Sequence, residues 1–189
     1  MKNLKSIAIA LLVTVSAFTA TAQDKKINTS KSTISWVGKK VTGQHSGNIS
    51  FKDGVLNFKS NKLTGGNFTV DMNSIAVTDL KAGEGKEKLE GHLKAADFFG
   101  TDKFATSKLV FKTVTAKSAG VYTVVADLTI KNITKPVTFD ITVAKNTATA
   151  AFKVDRTKYG IEYKSESILG GLGDTAIYDD FELTVNLQF

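Results

Sequence analysis

The sequence predicts an all-β protein, a closed antiparallel barrel with one short helical insertion. Apolar and polar residues alternate with a period of two along most of the chain, which is typical of half-buried strands. Short turn signals separate these segments, so consecutive strands are expected to be antiparallel. About eight or nine such strands favour a barrel over a sandwich, because closure removes exposed edges.

The alternation is clearest in two segments. Residues 137–143 place Val, Phe, Ile and Val on one face and Thr, Asp and Thr on the other. Residues 181–189 alternate as regularly, and we expect this last strand to close the sheet. Less regular strands are predicted at about 33–41, 46–51, 55–60, 67–77, 108–116, 121–131 and 147–155.

The connections between these strands carry turn residues. Hairpin turns are predicted at residues 52–54 (Lys-Asp-Gly), 65–66 (Gly-Gly) and 118–120 (Ser-Ala-Gly), with a weaker signal at 145–146 (Lys-Asn). The single proline, Pro136, is predicted at a junction between two strands, where its missing N–H breaks no ladder hydrogen bond.

Residues 85–99 have helical rather than strand periodicity. Leu89, Leu93 and Ala96 recur at helical spacing, and His92 lies beside this apolar stripe. Gly91 weakens the helix prediction. The segment is therefore predicted to form one short helix that covers an end or a gap of the barrel.

The first 22 residues are typical of a secretory signal peptide. Lys2 and Lys5 precede an uncharged apolar stretch, and Ala-Thr-Ala at 20–22 supplies small residues for cleavage. The stretch is short for a membrane anchor, and no cysteine follows it to carry a lipid. We expect cleavage near Ala22, a single mature domain of residues 23–189, and a periplasmic or secreted location.

Composition excludes several functional classes. The chain has no cysteine, so disulfides, thiolate metal sites and cysteine nucleophiles are excluded. Its 25 Lys and Arg against 18 Asp and Glu give a net charge of +7. The lysines are scattered among Thr, Ser, Asp and Glu and are not gathered with aromatic residues, so no nucleic-acid partner is expected.

Six blocks of sequence, in this order, resemble the YceI family. They are WVGK at 36–39, HSG at 45–47, GGNFTVDM at 65–72, LEGHLKAADFF at 89–99, LTIKNITKPV at 128–137 and DRTKYGI at 155–161. The blocks at 89–99 and 155–161 are the most specific. The resemblance extends across essentially the whole predicted mature chain.

This resemblance implies an extended, lipocalin-like antiparallel barrel of eight strands, an architecture with room inside for one slender ligand. It implies that the pore holds a long-chain amphiphile, a polyisoprenoid or an isoprenoid quinone. We expect a non-enzymatic protein that carries or sequesters this lipid and requires no cofactor. Its expected partners are the lipid ligand and, transiently, a membrane; the chain itself is expected to be a monomer or a homodimer.

Aromatic residues are the candidates for the pore lining. Each fits ordinary core packing equally well, because parity is ambiguous where both faces of a strand are apolar. The candidates are Trp36, Phe51, Phe68, Phe98, Phe99, Phe111 and Phe152. Phe98 and Phe99 have the strongest claim, because the segment after the helix is expected to cross the barrel mouth.

Polar candidates for contact with the ligand's head group are His45, His92 and Arg156, with Tyr159 and Tyr163 as amphipathic neighbours. The planar guanidinium of Arg156 can donate two hydrogen bonds to a pyrophosphate or a quinone carbonyl. A structural ion pair with a carboxylate such as Asp71 or Glu166 explains this arginine equally well.

The alternative function is a hydrolase or other enzyme acting on a lipid-like substrate, with His92 and a carboxylate as acid and base. No metal site is expected, because neither histidine has a second ligand at metal-binding spacing. No Gly-x-Ser-x-Gly elbow is present.

Residues 171–176 match the dinucleotide fingerprint without a βαβ unit around them, and residues 165–174 are interpreted as a glycine loop at the mouth. The third possibility, a surface or adhesion module, has no support in the charge pattern.

Overall fold

The computed structural model describes residues 22–189, so the predicted signal peptide, apart from Ala22, lies outside the described residues. In chain order the elements are β1 (Ala22–Lys26), β2 (Thr33–Lys40), β3 (Gly43–Lys59), β4 (Lys62–Val77), α1 (Lys86–Lys94), β5 (Thr106–Ser118), β6 (Val121–Ile130), β7 (Ile133–Val143), β8 (Thr147–Asp155), a 3-10 turn (Arg156–Tyr159), α2 (Glu166–Leu169), a second 3-10 turn (Gly173–Thr175) and β9 (Ile177–Gln188).

The strands β2 to β9 form a closed antiparallel barrel. The hydrogen-bonded order runs β3-β2-β9-β8-β7-β6-β5-β4, and pairing of β4 with β3 completes the circle. The ninth strand, β1, pairs only with the second half of β3, from Val55 to Lys59. The predicted fold class, an all-β barrel of eight strands with a short helical insertion, is confirmed.

The alternation predicted for the last strands is confirmed in the burial of their side chains. Along β7, Phe139 and Ile141 are buried whereas Thr138 and Asp140 are exposed. Along β9, Leu187 is buried while Asn186 is exposed. One face of each strand therefore points into the barrel and the other to solvent.

The predicted turn at residues 52–54 is wrong, because β3 is one continuous strand. A register shift between Phe51 and Asp53 marks a bulge at that point. Gly54 is needed there for space, since a Cβ would lie 2.5 Å from the Phe68 ring. The turn comes instead at Ser60 and Asn61, whose φ angles of 47° and 62° fit a two-residue hairpin.

Three other local expectations differ from the structure. Gly65 and Gly66 lie inside β4 and do not form a turn. Pro136 lies inside β7, opposite Asp127 of β6, and not at a strand junction. Its missing N–H is tolerated because β8 pairs with β7 only at Ile141–Val143, which leaves the first part of β7 with a free edge. The short strand β1 was not predicted.

The predicted helix within 85–99 is confirmed as α1, which buries Leu93. The barrel has two distinct ends. The closed end lies where β3 ends and β4 begins, and it is filled by buried side chains that include Leu56, Phe58 and Leu63. The mouth end lies where β8 ends and β9 begins, and the segment after α1 packs there.

Candidate ligand-binding cavity

An apolar cavity lies inside the barrel. The space between its walls, counted out to the open mouth, is about 1250 Å³. Every strand from β2 to β9 contributes inward side chains, almost all of them Ile, Leu, Val, Met or Phe. Pockets for small molecules are typically lined by apolar side chains with a few polar groups, and the walls of this cavity have that composition.

Five phenylalanines form a connected aromatic band in the wall. The ring centroids of Phe51 and Phe68 are 6.0 Å apart, and those of Phe68 and Phe111 are 5.7 Å apart. Phe139 continues the band at 5.9 Å from Phe111 and stacks on Phe152 at 4.6 Å. Such pairs add about 0.5–1.5 kcal/mol each beyond simple burial, so they fix the shape of the wall.

Trp36 lines the cavity from β2. Its partner in the ladder, Gly47 of β3, lies directly against the indole, and a Cβ there would lie 2.5 Å from Cζ2. The glycine therefore makes room for the tryptophan. The indole N–H is buried without a hydrogen-bond partner among residues 22–189.

Phe98 and Phe99 line the cavity at the mouth end. The segment that carries them is tied down by Lys131, whose Nζ donates to the Phe98 carbonyl at 2.8 Å. The Glu90 carboxylate accepts from the Val77 N–H at 2.9 Å and so ties α1 to the end of β4. The helix and its continuation thus hold two aromatic rings on the cavity wall.

The mouth lies between β2 and the start of β9. Tyr178 and Asp180 are the exposed residues among those that line the cavity, and the rest are buried or half-buried. The ladder is irregular here, because Gly38 pairs with Phe181 but Lys40 pairs with Ile177. A Cβ on Gly38 would meet nothing within 4 Å. The irregular pairing and the missing side chain leave a gap in the wall.

Arg156 is the one charged group that is buried in the cavity wall, at 2% exposure, within the described chain. Its Nε donates to the Tyr178 carbonyl at 3.1 Å, Nη1 to Ile161 at 2.8 Å and Nη2 to Ile177 at 2.9 Å. Nη2 also lies 3.6 Å from Asp179. Burial lowers the pKa of Arg156, against the opposing charges of Asp179 and Asp155. The arginine joins the turn after β8 to the start of β9.

A family model described as the YceI-like domain matches residues 26–189. The chain belongs to the YceI-like family. A UPF0312 protein of Staphylococcus aureus (strain USA300) is 39% identical over 97 residues, which are 46% of this chain and 54% of that protein. A second, from strain MRSA252, is 37% identical over 97 residues with the same coverage. The match thus spans about half the length of these curated relatives.

Solved structures share the fold of this YceI-like domain. BcnA of Burkholderia cenocepacia superposes with a TM-score of 0.69 at 20% identity, over 85% of this chain and 98% of BcnA. A polyisoprenoid binding domain from Saccharophagus degradans, implicated in plant cell wall breakdown, gives a TM-score of 0.57 at 11% identity, over 89% of this chain and 97% of that one. At these identities the likeness shows the fold alone.

The structure divides the predicted site residues into two groups. The first group lies on the cavity wall and comprises Trp36, Phe51, Phe68, Phe98, Phe99, Phe111, Phe152 and Arg156. The second group does not line the cavity and comprises His45, His92, Tyr159 and Tyr163. For Arg156, the suggested partners Asp71 and Glu166 are wrong, because its carboxylate neighbour is Asp179 and its main partners are backbone carbonyls.

The outlying residues of the second group have structural neighbours. His92 packs edge-on against Tyr163, with centroids 4.5 Å apart, and against Phe98 at 5.5 Å. Its Nδ1 lies 4.0 Å from Asp97, too far for a hydrogen bond. Tyr159 is 1% exposed, and burial, with the charge of Asp155, raises its pKa to about 12.

His45 lies outside the cavity and ties the start of β3 to the chain after β4. Its Nδ1 lies 2.8 Å from the Asp79 carboxylate, which also accepts from the Ser46 N–H at 3.0 Å. Burial alone would raise the pKa of Asp79, but the hydrogen bonds from Ser46 and His45 outweigh it and lower the pKa. His45 therefore has a structural partner, Asp79, outside the cavity.

Sequence reasoning missed most of the aliphatic wall. Alternation along the strands was the available signal, since Phe139, Ile141, Phe181, Leu183, Val185 and Leu187 were assigned to apolar faces but not to a pore. The other wall residues that were not predicted are Ile34, Gly38, Ile49, Val70, Met72, Ile75, Leu93, Ser107, Leu109, Leu128, Ile130, Ala150, Ile177, Tyr178 and Asp180.

Within residues 22–189, no three His, Asp or Glu side chains lie together as potential metal ligands. Among the helices of this same part of the chain, none has the length and apolar content needed to cross a bilayer.

Proposed function

We propose that this YceI-like domain binds a long-chain amphiphile, a polyisoprenoid or an isoprenoid quinone, and carries or sequesters it without chemical change. The observation that carries the proposal is the cavity, which is apolar along its walls and is bounded by packed side chains at the closed end. Its exposed polar residues, Tyr178 and Asp180, lie at the mouth. The tail then lies inside and the head group at the mouth.

The energetics favour a long ligand. Each buried methylene contributes about 0.8 kcal/mol, so a tail that buries about twenty carbons contributes on the order of 16 kcal/mol. Association costs roughly 4–15 kcal/mol in lost freedom and ordering. Affinity therefore comes from the tail, and it increases with the length of tail that the cavity holds. The Saccharophagus degradans domain of the same fold is a polyisoprenoid binding domain, which supports this ligand class.

The first test is native mass spectrometry of the protein purified from its own host without detergent, followed by organic extraction. We expect one polyisoprenoid or quinone per chain. Recovery of a chemically altered lipid after incubation would instead favour the enzyme alternative. Protein that is purified without a bound lipid and that does not bind added isoprenoids would overturn the proposal.

The single tryptophan provides a second test in solution. Trp36 lines the cavity and is the only tryptophan of the chain, so a ligand in the cavity should change its fluorescence. Titration with a long-chain isoprenoid should saturate at one ligand per chain. The Trp36→Phe variant should lose the signal but retain binding by calorimetry, and a signal without calorimetric binding would contradict the assignment.

We also propose that the chain works in the periplasm or outside the cell, after cleavage near Ala22. The signal features of residues 1–22 support this location. The intact mass of the protein in a periplasmic extract should correspond to residues 23–189. Recovery of the full-length chain from the cytoplasmic fraction alone would contradict it.

A further inference from the structure

Exposed apolar side chains gather around the mouth of the cavity. Within residues 22–189, six large apolar side chains are at least 36% exposed. Four of them lie on the segments that border the mouth: Val41 after β2, Ile168 and Leu169 on α2, and Tyr178 at the start of β9. The other two belong to β5 and β7. We call the first four residues the apolar rim.

Hydrogen bonds hold these segments side by side. The Val41 N–H donates to the Ala176 carbonyl at 3.2 Å, which ties the turn after β2 to the chain before β9. The Ile177 N–H donates to the Lys164 carbonyl at 2.8 Å, two residues before α2. Tyr178 comes next in β9, and it also lines the cavity. The apolar rim is therefore continuous with the cavity wall.

The exposure of Ile168 and Leu169 is built into the loop that carries them. None of the side chains of α2 is buried. The Glu166 carboxylate accepts hydrogen bonds from the Gly171 and Leu172 N–H groups, both at 2.9 Å, and so fixes the chain after the helix. The loop thus holds two adjacent apolar side chains in water, and exposed apolar groups that cluster in this way mark interaction sites.

We propose that the apolar rim docks on the surface of a lipid bilayer. Its side chains insert among the lipid head groups, so that the mouth opens against the membrane and an isoprenoid passes between bilayer and cavity. The inference rests on the proposed function and deepens it, because it names the partner with which the same cavity exchanges its ligand.

The chemistry of the mouth favours a bilayer as the occupant. A long apolar tail that leaves the cavity into water loses the hydrophobic stabilisation of every methylene, and contact with a membrane avoids this loss. Tyrosine is enriched at membrane interfaces, where its ring and its hydroxyl meet environments of different polarity. Tyr178, at 52% exposure, lies where the cavity wall meets the apolar rim.

A second protein molecule fits this surface less well. A stable protein interface buries about 800 Å² on each partner. The apolar rim consists of four side chains, none of them more than 58% exposed, and its apolar area is much smaller than that. Shallow insertion of a few apolar side chains into the head-group region needs no comparable area.

Charge does not drive this docking. Lys40 and Lys164 lie in the segments that carry the apolar rim, but so do Glu166, Asp174 and Asp180. These opposite charges give no strong attraction to anionic lipids. Apolar insertion should therefore dominate, and the contact should persist on zwitterionic vesicles and at high salt.

The experiment is flotation of the mature protein with phosphatidylcholine vesicles, at low and at high salt. The variants are Ile168→Ser/Leu169→Ser, Val41→Ser and Val110→Ser. Val110 is the matched control for Val41, because it is the same residue with similar exposure, 43% against 48%, but it lies on β5. Substitutions at exposed positions rarely unfold a protein, and circular dichroism verifies this for each variant.

The wild type should float with the vesicles at both salt concentrations. The double variant should reduce vesicle partitioning at least about tenfold and Val41→Ser about threefold, whereas Val110→Ser should leave it unchanged. Affinity for an isoprenoid in solution, measured by calorimetry, should be the same in all of these proteins, because none of the substituted residues lines the cavity.

Several outcomes would overturn the inference and leave the proposed function standing, provided that isoprenoid binding in solution is intact. These are absence of vesicle binding, equal losses in Val41→Ser and Val110→Ser, and binding that requires anionic lipid or is abolished by salt. A concentration-dependent dimer that the double variant abolishes would assign the apolar rim to a second copy of the chain and would also overturn it. A protein that binds no isoprenoid at all would overturn the proposed function, and the inference with it.

Discussion

At the closed end of the barrel the inward side chains pack against one another, whereas toward the mouth end they leave an apolar cavity between them. Leu56, Phe58 and Leu63, at the closed end, are all less than a tenth exposed. The mouth end instead contains Gly38, which leaves open space, and Arg156, a buried charge held by backbone carbonyls.

This difference between the two ends predicts which substitutions change stability and which change binding. Shortening a side chain in a close-packed core lowers the free energy of unfolding, because a cavity is left behind. Shortening a side chain that already borders a cavity lowers the free energy of unfolding less, since part of its surface has no protein neighbour. We therefore expect substitutions at the closed end to change unfolding, and substitutions at the mouth end to change binding or local order.

The largest effect is expected for Phe58→Ala at the closed end. Phe58 is 6% exposed, its ring lies 5.9 Å from that of Phe189, and it does not line the cavity. The substitution should lower the free energy of unfolding by about 4 kcal/mol in urea titrations followed by Trp36 fluorescence. Phe99→Ala, on the cavity wall, should lose less stability and more ligand affinity. Equal stability losses for the two variants would contradict the comparison.

The next-largest effect is expected at Arg156, which joins the turn after β8 to the start of β9 at the mouth end. Arg156→Met removes the donor to three carbonyls and leaves Asp179 without its cation, which should cost about 3 kcal/mol. Amides of residues 161–178 should lose hydrogen-exchange protection first. The control is Lys158→Met, an exposed neighbour in the same turn. If both variants are equally stable, Arg156 does not hold this end together.

The fold was predictable where a strand separates water from the barrel interior. Alternation identified β7 and β9 because their two faces have different environments. The strand β1 lacks this signal, since Ala22–Lys26 is joined to β3 through its backbone and carries mostly exposed side chains. The bulged strand β3 was divided in two because Asp53 and Gly54 have turn chemistry, whereas the glycine serves close packing against Phe68.

The candidate site was predictable only in part. Phe68 and Phe111 were candidates for the pore lining because they are aromatic, but strand parity did not separate pore contact from core packing where both faces of a strand are apolar. The role of Arg156 does not follow from the sequence, because its partners are backbone carbonyls, which no residue pattern records. The position of His92 behind Phe98 depends on the path of the chain after α1, which periodicity alone does not determine.

A smaller effect is expected from filling the gap at Gly38. A leucine there fits the backbone and extends into open space, so the fold should be retained. Because Gly38 lines the cavity beside the mouth, the side chain should weaken binding of a long isoprenoid about tenfold, or about 1.4 kcal/mol. Gly91→Leu is the control, since Gly91 also faces open space but lies on α1 outside the cavity. Unchanged affinity in Gly38→Leu would place the ligand away from the gap between β2 and β9.

The smallest effect is a local response to acid at the mouth end. Burial alone would raise the pKa of Asp179, but hydrogen bonds from Ser165 and Ser167 and the charge of Arg156 lower it below its ordinary value. A carboxylate with a lowered folded-state pKa stabilises the fold fully above its unfolded-state pKa, and this stabilisation is lost as the pH falls through the folded-state value.

Hydrogen exchange, corrected for intrinsic rates, measures this response between about pH 4 and pH 2. Amides of residues 165–178 should lose about 0.5 kcal/mol of protection, roughly twofold, because Asp179 is partly exposed and solvent screens its interactions. Amides of residues 55–66 at the closed end should keep theirs. The Asp179→Asn variant should show the reduced protection at every pH. If wild type and variant respond to acid alike, another group at the mouth end is responsible, and the contrast between the two ends does not depend on the Asp179 pairings.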